Sequence, residues 1–393
     1  MTSIQPKSLI ALISLAISAF AIGTTEFVIV GLLQTVASDL SIPVTKAGTL
    51  ISGYAAAIAI GTPIVAAMTS RLPKKGLLLI LLVLFIAGNV ISAISGSYSL
   101  LLVSRIITAV AHGVFFAIAA TVASEMVPKN RQAQAISIMF TGLTVATILG
   151  VPFGTLIGQE FGWRATFLAV AVLGIIGLIS NWLTLDRTEA NTSKLTISDI
   201  GRLIGNPRII LALLMTALGF GGTFALFTYL TPILETVSGI SPENIFWMLL
   251  IYGAATAAGN LIGGKIANRH PVKALRWVFF FQLIALLLQM VLLKNSAYLS
   301  MIPLGLFAFM MSPGVQAYIV SLAEKLVPSA KDLASALNIS GFNIGIAAGS
   351  ALGGLAVDYM NLLDTAWIGA AMVLAALILS IINYRLDVKQ KLF

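Results

Sequence analysis

Long apolar runs follow one another along the whole chain, separated by short segments that carry nearly all of the charge. Each run reaches about 20 residues, the length an α-helix needs to cross the hydrocarbon of a bilayer. The pattern predicts twelve such helices, at roughly 9–36, 45–69, 76–97, 99–126, 133–158, 164–186, 208–235, 243–267, 273–293, 297–323, 332–357 and 364–385. The expected fold class is therefore all-α and integral to the membrane, with twelve transmembrane helices. The first run follows Lys7 in the manner of a secretory leader, but it is too long for a leader's apolar core and reads as an uncleaved first helix.

The pattern is written twice. "GLTVATILGVPFG" from Gly142 matches "GFNIGIAAGSALG" from Gly341, an offset of 199 residues. Ser70-Arg71 answers Asn268-Arg269, Val127-Pro128 answers Val327-Pro328, and "LLQTV" from Leu32 answers "ILETV" from Ile233. Six spans separate equivalent positions, so both copies have the same orientation in the membrane. The expected organisation is two parallel six-helix pseudo-repeats: residues 1–186, a cytoplasmic linker over 187–207, and residues 208–393. Within the linker, "ISDIGRLI" suits a short surface helix. Two such halves around a midplane cavity are the architecture of a rocking transporter. The small residues Gly142, Gly150 and Gly154 also admit a plainer reading, close helix packing alone.

Composition agrees with a membrane protein and narrows the partners. Of 393 residues 59% are hydrophobic and only 9% charged, against about 25% charged in soluble domains. The net charge of +9 could suggest a polyanion, but its placement records topology. With a cytoplasmic N-terminus, only Lys46, Arg164 and Lys294 fall outside and Arg105 falls within a span. The other basic residues gather on the inner side, as the positive-inside rule requires. The expectation is a multi-pass monomer in lipid with both termini cytoplasmic, and no nucleic acid. The absence of cysteine excludes disulfides and thiolate metal sites. No G-x-x-x-x-G-K-[ST] run is present, so no nucleotide site, cofactor, metal or enzymatic activity is expected.

At these residues the chain resembles the major facilitator superfamily over essentially its whole length, and within it the 12-span drug:proton antiporters near bacterial arabinose-efflux-like and purine-efflux-like permeases. "AAMTSRLPKK" from Ala66 and "GKIANRHPVK" from Gly264 resemble the family's G-x-x-x-D-R-x-G-R-K loop, with Arg71 and Arg269 retained and Ser70 and Asn268 in place of the acid. "LLLVSRIITAVAHG" resembles the fourth-helix motif, with Arg105 at the arginine position. "GLTVATILGVPFGTLIG" resembles the fifth-helix antiporter motif, its Gly-Pro pair written here as Gly150-Val151-Pro152. The resemblance implies a major facilitator fold and export by exchange in a bacterial cytoplasmic membrane. Arg71, Arg269, Gly142, Gly150, Pro152 and Gly154 would then serve gating and packing.

One residue stands apart. Glu26 is the only charge between Leu9 and Leu33. A charge at mid-bilayer costs several kcal/mol unless paired, neutralised or wet, so a functional role is the default reading. Helix rise puts Glu26 about 15 Å from the outer end of its span, Arg105 about 9 Å and His112 about 20 Å. Arg105 and His112, seven residues apart, share a helix face, and with Glu26 they form a candidate proton relay. Arg105 could instead brace backbone carbonyls, and His112 could simply pack. In the second half Phe220, Phe224 and Phe227 recur on one face, with Tyr229 nearby. Phe307, Met310, Gln316, Asn338 and Asn343 join them as candidate cavity residues suited to amphipathic compounds. Lipid-facing or core aromatics are the competing reading.

The expectation is a proton-coupled antiporter exporting small organic molecules such as drugs, sugars or nucleobases. An importer or facilitator on the same fold is the alternative, and a non-transporting membrane sensor or scaffold is a third.

Overall fold

A computed structural model describes residues 4–186 and 195–389; most of the expected linker, 187–194, lies outside the described residues. The first half contains α1 (Pro6–Asp39), α2 (Val44–Met68), α3 (Lys74–Ile94), α4 (Tyr98–Glu125), α5 (Gln132–Val145), α6 (Val151–Phe161) and α7 (Trp163–Thr184). Then come α8 (Ile197–Ile204), α9 (Pro207–Phe227), α10 (Leu230–Thr236), α11 (Pro242–Ala267), α12 (Pro271–Asn295), α13 (Ala297–Ala308), α14 (Ser312–Leu326), α15 (Lys331–Tyr359) and α16 (Asp364–Lys389). Among the described residues there is no strand, and twelve helical stretches are long and apolar enough to cross a membrane. The short α8 is the "ISDIGRLI" segment.

Local chemistry explains the boundaries. Prolines open α1, α9, α11 and α12, where a missing N–H costs nothing. The Ser97 hydroxyl accepts from the Leu100 N–H to cap α4, and Asn206 caps α9 through the Arg208 N–H. Gly162, with φ of 84°, makes the turn from α6 into α7.

The chain groups into two units. One holds residues up to Val127, Ile138–Thr196 and Ser335–Ser340; the other holds Pro128–Ser137, Ile197–Ala334 and the residues from Gly341 onward. In the first unit α4 is buried at every position from Ala111 to Ser124. In the second, α14 is buried from Ser312 to Val320. A helix enclosed all round can carry polar groups away from lipid.

The small-residue stripes act as close-packing seams in both units. A Cβ on Gly142 would fall on the Ala16 carbonyl oxygen, on Gly150 against Thr24, and on Gly154 against Val28. In the second unit Gly345, Gly349 and Gly353 press on the backbone of Ala217, Gly221 and Ala225. Gly341 has ordinary room, so that seam starts one turn later. Between α5 and α6 the backbone widens into a π-helical turn, Ala146–Gly150. Such a turn absorbs one extra residue, which is the residue that separates Gly150 from Pro152. It also eases the proline, whose ring otherwise clashes with the carbonyl four residues back.

Candidate functional site

In the first unit α4 holds Arg105 at 1% exposure. Its Nη1 donates to the Thr25 carbonyl at 2.7 Å, beside Glu26 on α1. The guanidinium lies over the Tyr54 ring, 4.1 Å from its centre. The Tyr54 hydroxyl in turn sits 3.1 Å from His112 Nδ1. His112 stacks obliquely on Phe116, and Phe116 on Phe140. Thr25 donates its hydroxyl to Asn89, whose amide is held by the Phe85 carbonyl, so α3 fixes α1 at this depth.

Two features set the site's electrostatics. Arg105 Nε and Nη2 are buried without a hydrogen-bond partner. Each unmet donor in such a place costs about 1–3 kcal/mol, so the pocket has spare capacity for an acceptor. Glu26 is half-buried and, among the described residues, makes no hydrogen bond or ion pair. Its charge and that of Arg105 are within electrostatic reach. The arrangement therefore places an acid without a fixed partner near a guanidinium with free donors.

The residues expected to form a relay come together, with one addition. Arg105 and His112 are joined through Tyr54 on α2, which the sequence reading did not single out. A signal existed: Tyr252 stands 198 residues later, the offset that also relates Arg71 to Arg269. Tyr252 stacks on Phe227 at 4.8 Å, and Phe227 is the residue that aligns with Glu26 at an offset of 201.

In the second unit Phe220, Phe224, Phe309 and Phe342 are buried as one aromatic cluster. Phe220 lies 4.4 Å from Phe342 and 5.4 Å from Phe309, and Phe224 lies 6.5 Å from Phe309. Phe227 touches Phe224 as well as Tyr252. Tyr229 donates to the Ser350 carbonyl at 3.0 Å. Met310, Gln316 and Asn343 are buried, as is Asn338, which groups with the first unit. Phe307 lies apart from this cluster. It stacks on Phe281, which is 45% exposed on the outer side of α12, while Phe309 takes the place by Phe220. Helix α13 ends at Ala308 and α14 starts at Ser312, and the intervening turn resets the helical phase.

Arg71 and Arg269 are exposed, and Asn268 accepts the Gln134 backbone N–H at 2.9 Å. A buried ion pair that sequence reasoning missed joins Arg208 on α9 to Asp387 on α16, with the Tyr318 hydroxyl donating to the same carboxylate. Among the described residues no His, Asp and Glu cluster suits a metal.

Comparison with known proteins settles the family. The sequence profile of the Major Facilitator Superfamily matches residues 15–330. The chain belongs to the Major Facilitator Superfamily. It is 49% identical over 385 residues to the uncharacterized MFS-type transporter YtbD of Bacillus subtilis (strain 168), covering 97% of this chain and 96% of the relative. It is 37% identical over 349 residues to the inner membrane transport protein YdhP of Escherichia coli (strain K12), covering 88% of each. Among solved structures it resembles the human organic anion transporter MFSD10 (TETRAN), with a TM-score of 0.77, 14% identity, and coverage of 96% of this chain and 100% of that one. It also resembles the E. coli Fucose:proton symporter FucP, with a TM-score of 0.76, 16% identity, and coverage of 96% and 98%. The chain is thus a multi-pass membrane transporter of the major facilitator fold, and not an enzyme.

Proposed function

We propose that this transporter is a proton-coupled antiporter that exports small organic molecules across the bacterial cytoplasmic membrane. Glu26 carries the proton, Arg105 biases it, and Tyr54 and His112 hold the arginine in place. The observation that supports this most is the pairing of a half-buried, unbonded Glu26 with a buried Arg105 that has two idle donor nitrogens. A deprotonated Glu26 is drawn to those donors, and a protonated one is released. The aromatic cluster around Phe220 and Phe224 offers an adaptable apolar face for the exported compound. Both termini lie in the cytoplasm in this reading, in keeping with the distribution of Lys and Arg.

The test is pH-gradient-driven uptake of a substrate panel into everted vesicles at zero membrane potential. Exchange of one proton per substrate allows about tenfold accumulation for each pH unit. Glu26→Gln keeps the volume and cannot release a proton, so its accumulation ratio falls to about one while counterflow persists. Undiminished accumulation by Glu26→Gln would falsify the coupling role. Accumulation only when the gradient is reversed would establish symport instead.

A further inference from the structure

The turn between α11 and α12 bears two cations, Arg269 and Lys273, and a histidine, His270. A groove of about 300 Å³ there is lined by Ile266, Arg269, His270, Lys273, Ala274 and Trp277. None of these is acidic. Arg269, His270 and Lys273 are exposed and, among the described residues, none has a side-chain hydrogen bond or ion pair. The first half uses one corresponding side chain within the protein, while Arg71, the counterpart of Arg269, is exposed as well. Lys75, which answers Lys273 at the 198-residue offset, donates to the Trp182 carbonyl at 2.8 Å and to the Leu185 carbonyl, and neighbouring Lys74 pairs with Glu125 at 2.7 Å.

The groove also has an apolar floor that continues along the helices. Ile266 and Ile262 on α11 are 46% and 43% exposed, and Trp277 and Phe281 on α12 are 58% and 45% exposed. These residues lie toward the membrane interior from the charged turn, so cations sit at one end of the groove and a hydrocarbon track runs from them. Asp387, in the adjoining cavity that His270 and Lys273 also line, is already bound to Arg208 and Tyr318 and does not neutralise the turn.

We infer that this groove binds the headgroup of an anionic glycerophospholipid, with Arg269 and Lys273 on its phosphate and an acyl chain along Ile266 and Trp277. Charge complementarity selects the headgroup, because cations beside a bilayer attract anionic lipid. The aromatic at the groove's edge suits the interface between headgroup and hydrocarbon. The inference does not depend on antiport or on Glu26.

Brominated acyl chains quench tryptophan on contact, and Trp277 is the probe. Purified protein is reconstituted with increasing fractions of brominated phosphatidylglycerol or brominated phosphatidylcholine, and the Trp277→Phe signal is subtracted. The expected result is half-quenching of the Trp277 component at a much lower fraction of the anionic lipid. Arg269→Gln with Lys273→Gln reduces that preference about thirtyfold, five- to sixfold per charge. Quenching by phosphatidylcholine stays unchanged in the double variant, which reports that the groove itself is intact. Equal quenching by the two lipids, or a preference that survives the double variant, overturns the inference. Relief of quenching by millimolar inorganic phosphate alone also overturns it, since the site would then take a free anion.

Discussion

Replacing Tyr54 by phenylalanine removes one oxygen from the buried polar cluster around Arg105 in the first unit. Tyr54 is 2% exposed and His112 is 4% exposed, and their contact is 3.1 Å long. In a water-soluble core, leaving the imidazole nitrogen without its partner would cost about 1–3 kcal/mol. Membrane-embedded hydrogen bonds average about 0.6 kcal/mol, because the unfolded chain finds other partners in the bilayer. Near-complete burial puts this bond above that average, at about 1 kcal/mol. The phenylalanine ring still lies beneath the Arg105 guanidinium, 4.1 Å away in the parent. Tyr54→Leu removes that face too and loses about 2 kcal/mol more, the value of a desolvated cation–π contact. Reversible unfolding in mixed micelles titrated with dodecyl sulfate measures both. The expected order is parent, Tyr54→Phe about 1 kcal/mol lower, Tyr54→Leu about 3 kcal/mol lower. Equal losses for the two variants would show that the ring does not support the arginine and would refute this account of the cluster.

Three further outcomes test the frame around the site. Gly142→Ala places a methyl on the Ala16 carbonyl oxygen and loses about 2–3 kcal/mol, whereas Gly48→Ala, with open space, gains about 0.5–1 kcal/mol; unfolding midpoints moving in opposite directions check the seam. Arg208→Gln leaves Asp387 buried without its counter-ion and loses about 3–5 kcal/mol, most of it recovered by adding Asp387→Asn; no recovery in the double variant would locate the cost elsewhere. Asp39 lies beyond the end of the first span, and its carboxyl is held below the ordinary aspartate range by hydrogen bonds from Arg164 and, more weakly, Trp163. A depressed carboxyl stabilises the fold above the ordinary aspartate pKa and loses that contribution as pH falls through the lowered value. With the side chain 43% exposed, Asp39→Asn should cost under about 1 kcal/mol at pH 7 and nothing in strong acid; a constant difference across that range would exclude the ion pair as its source.

The spans and the repeat were legible because lipid enforces them. An apolar run long enough to cross a bilayer has few other folds available, and a lone glutamate inside one is conspicuous against its neighbours. Packing seams were legible too, since a glycine every four residues aligns on one helix face. What periodicity could not carry was phase across a break. The turn at 309–311 exchanged Phe307 for Phe309 in the aromatic cluster, two residues apart and on opposite sides of a helix. Pairings across long separations were also hidden. Arg208 and Asp387 each look like ordinary charges near a span's end, and only the fold shows that they meet. Tyr54 was hidden for a different reason: one tyrosine in an apolar span is unremarkable until its partner is known.

The repeat turns that last omission into a physical comparison. Each half carries a tyrosine on its second span, Tyr54 or Tyr252, at the 198-residue offset. In the second unit its partner is Phe227, and the two rings stack at an interplanar angle of 20°. In the first unit the corresponding residue is Glu26, and the tyrosine ring carries a guanidinium instead. The same backbone frame therefore supports an apolar stack in one half and a charge cluster in the other. A carboxylate placed at Phe227 would face the rings of Phe224 and Tyr252 rather than a guanidinium, and burying it there would be costly. At Glu26 the two idle nitrogens of Arg105 supply donors. The acid is tolerable in the first half because Arg105 and Tyr54 are there, and this local asymmetry, more than the shared fold, is the physical ground for the proposal that proton coupling belongs to the first half.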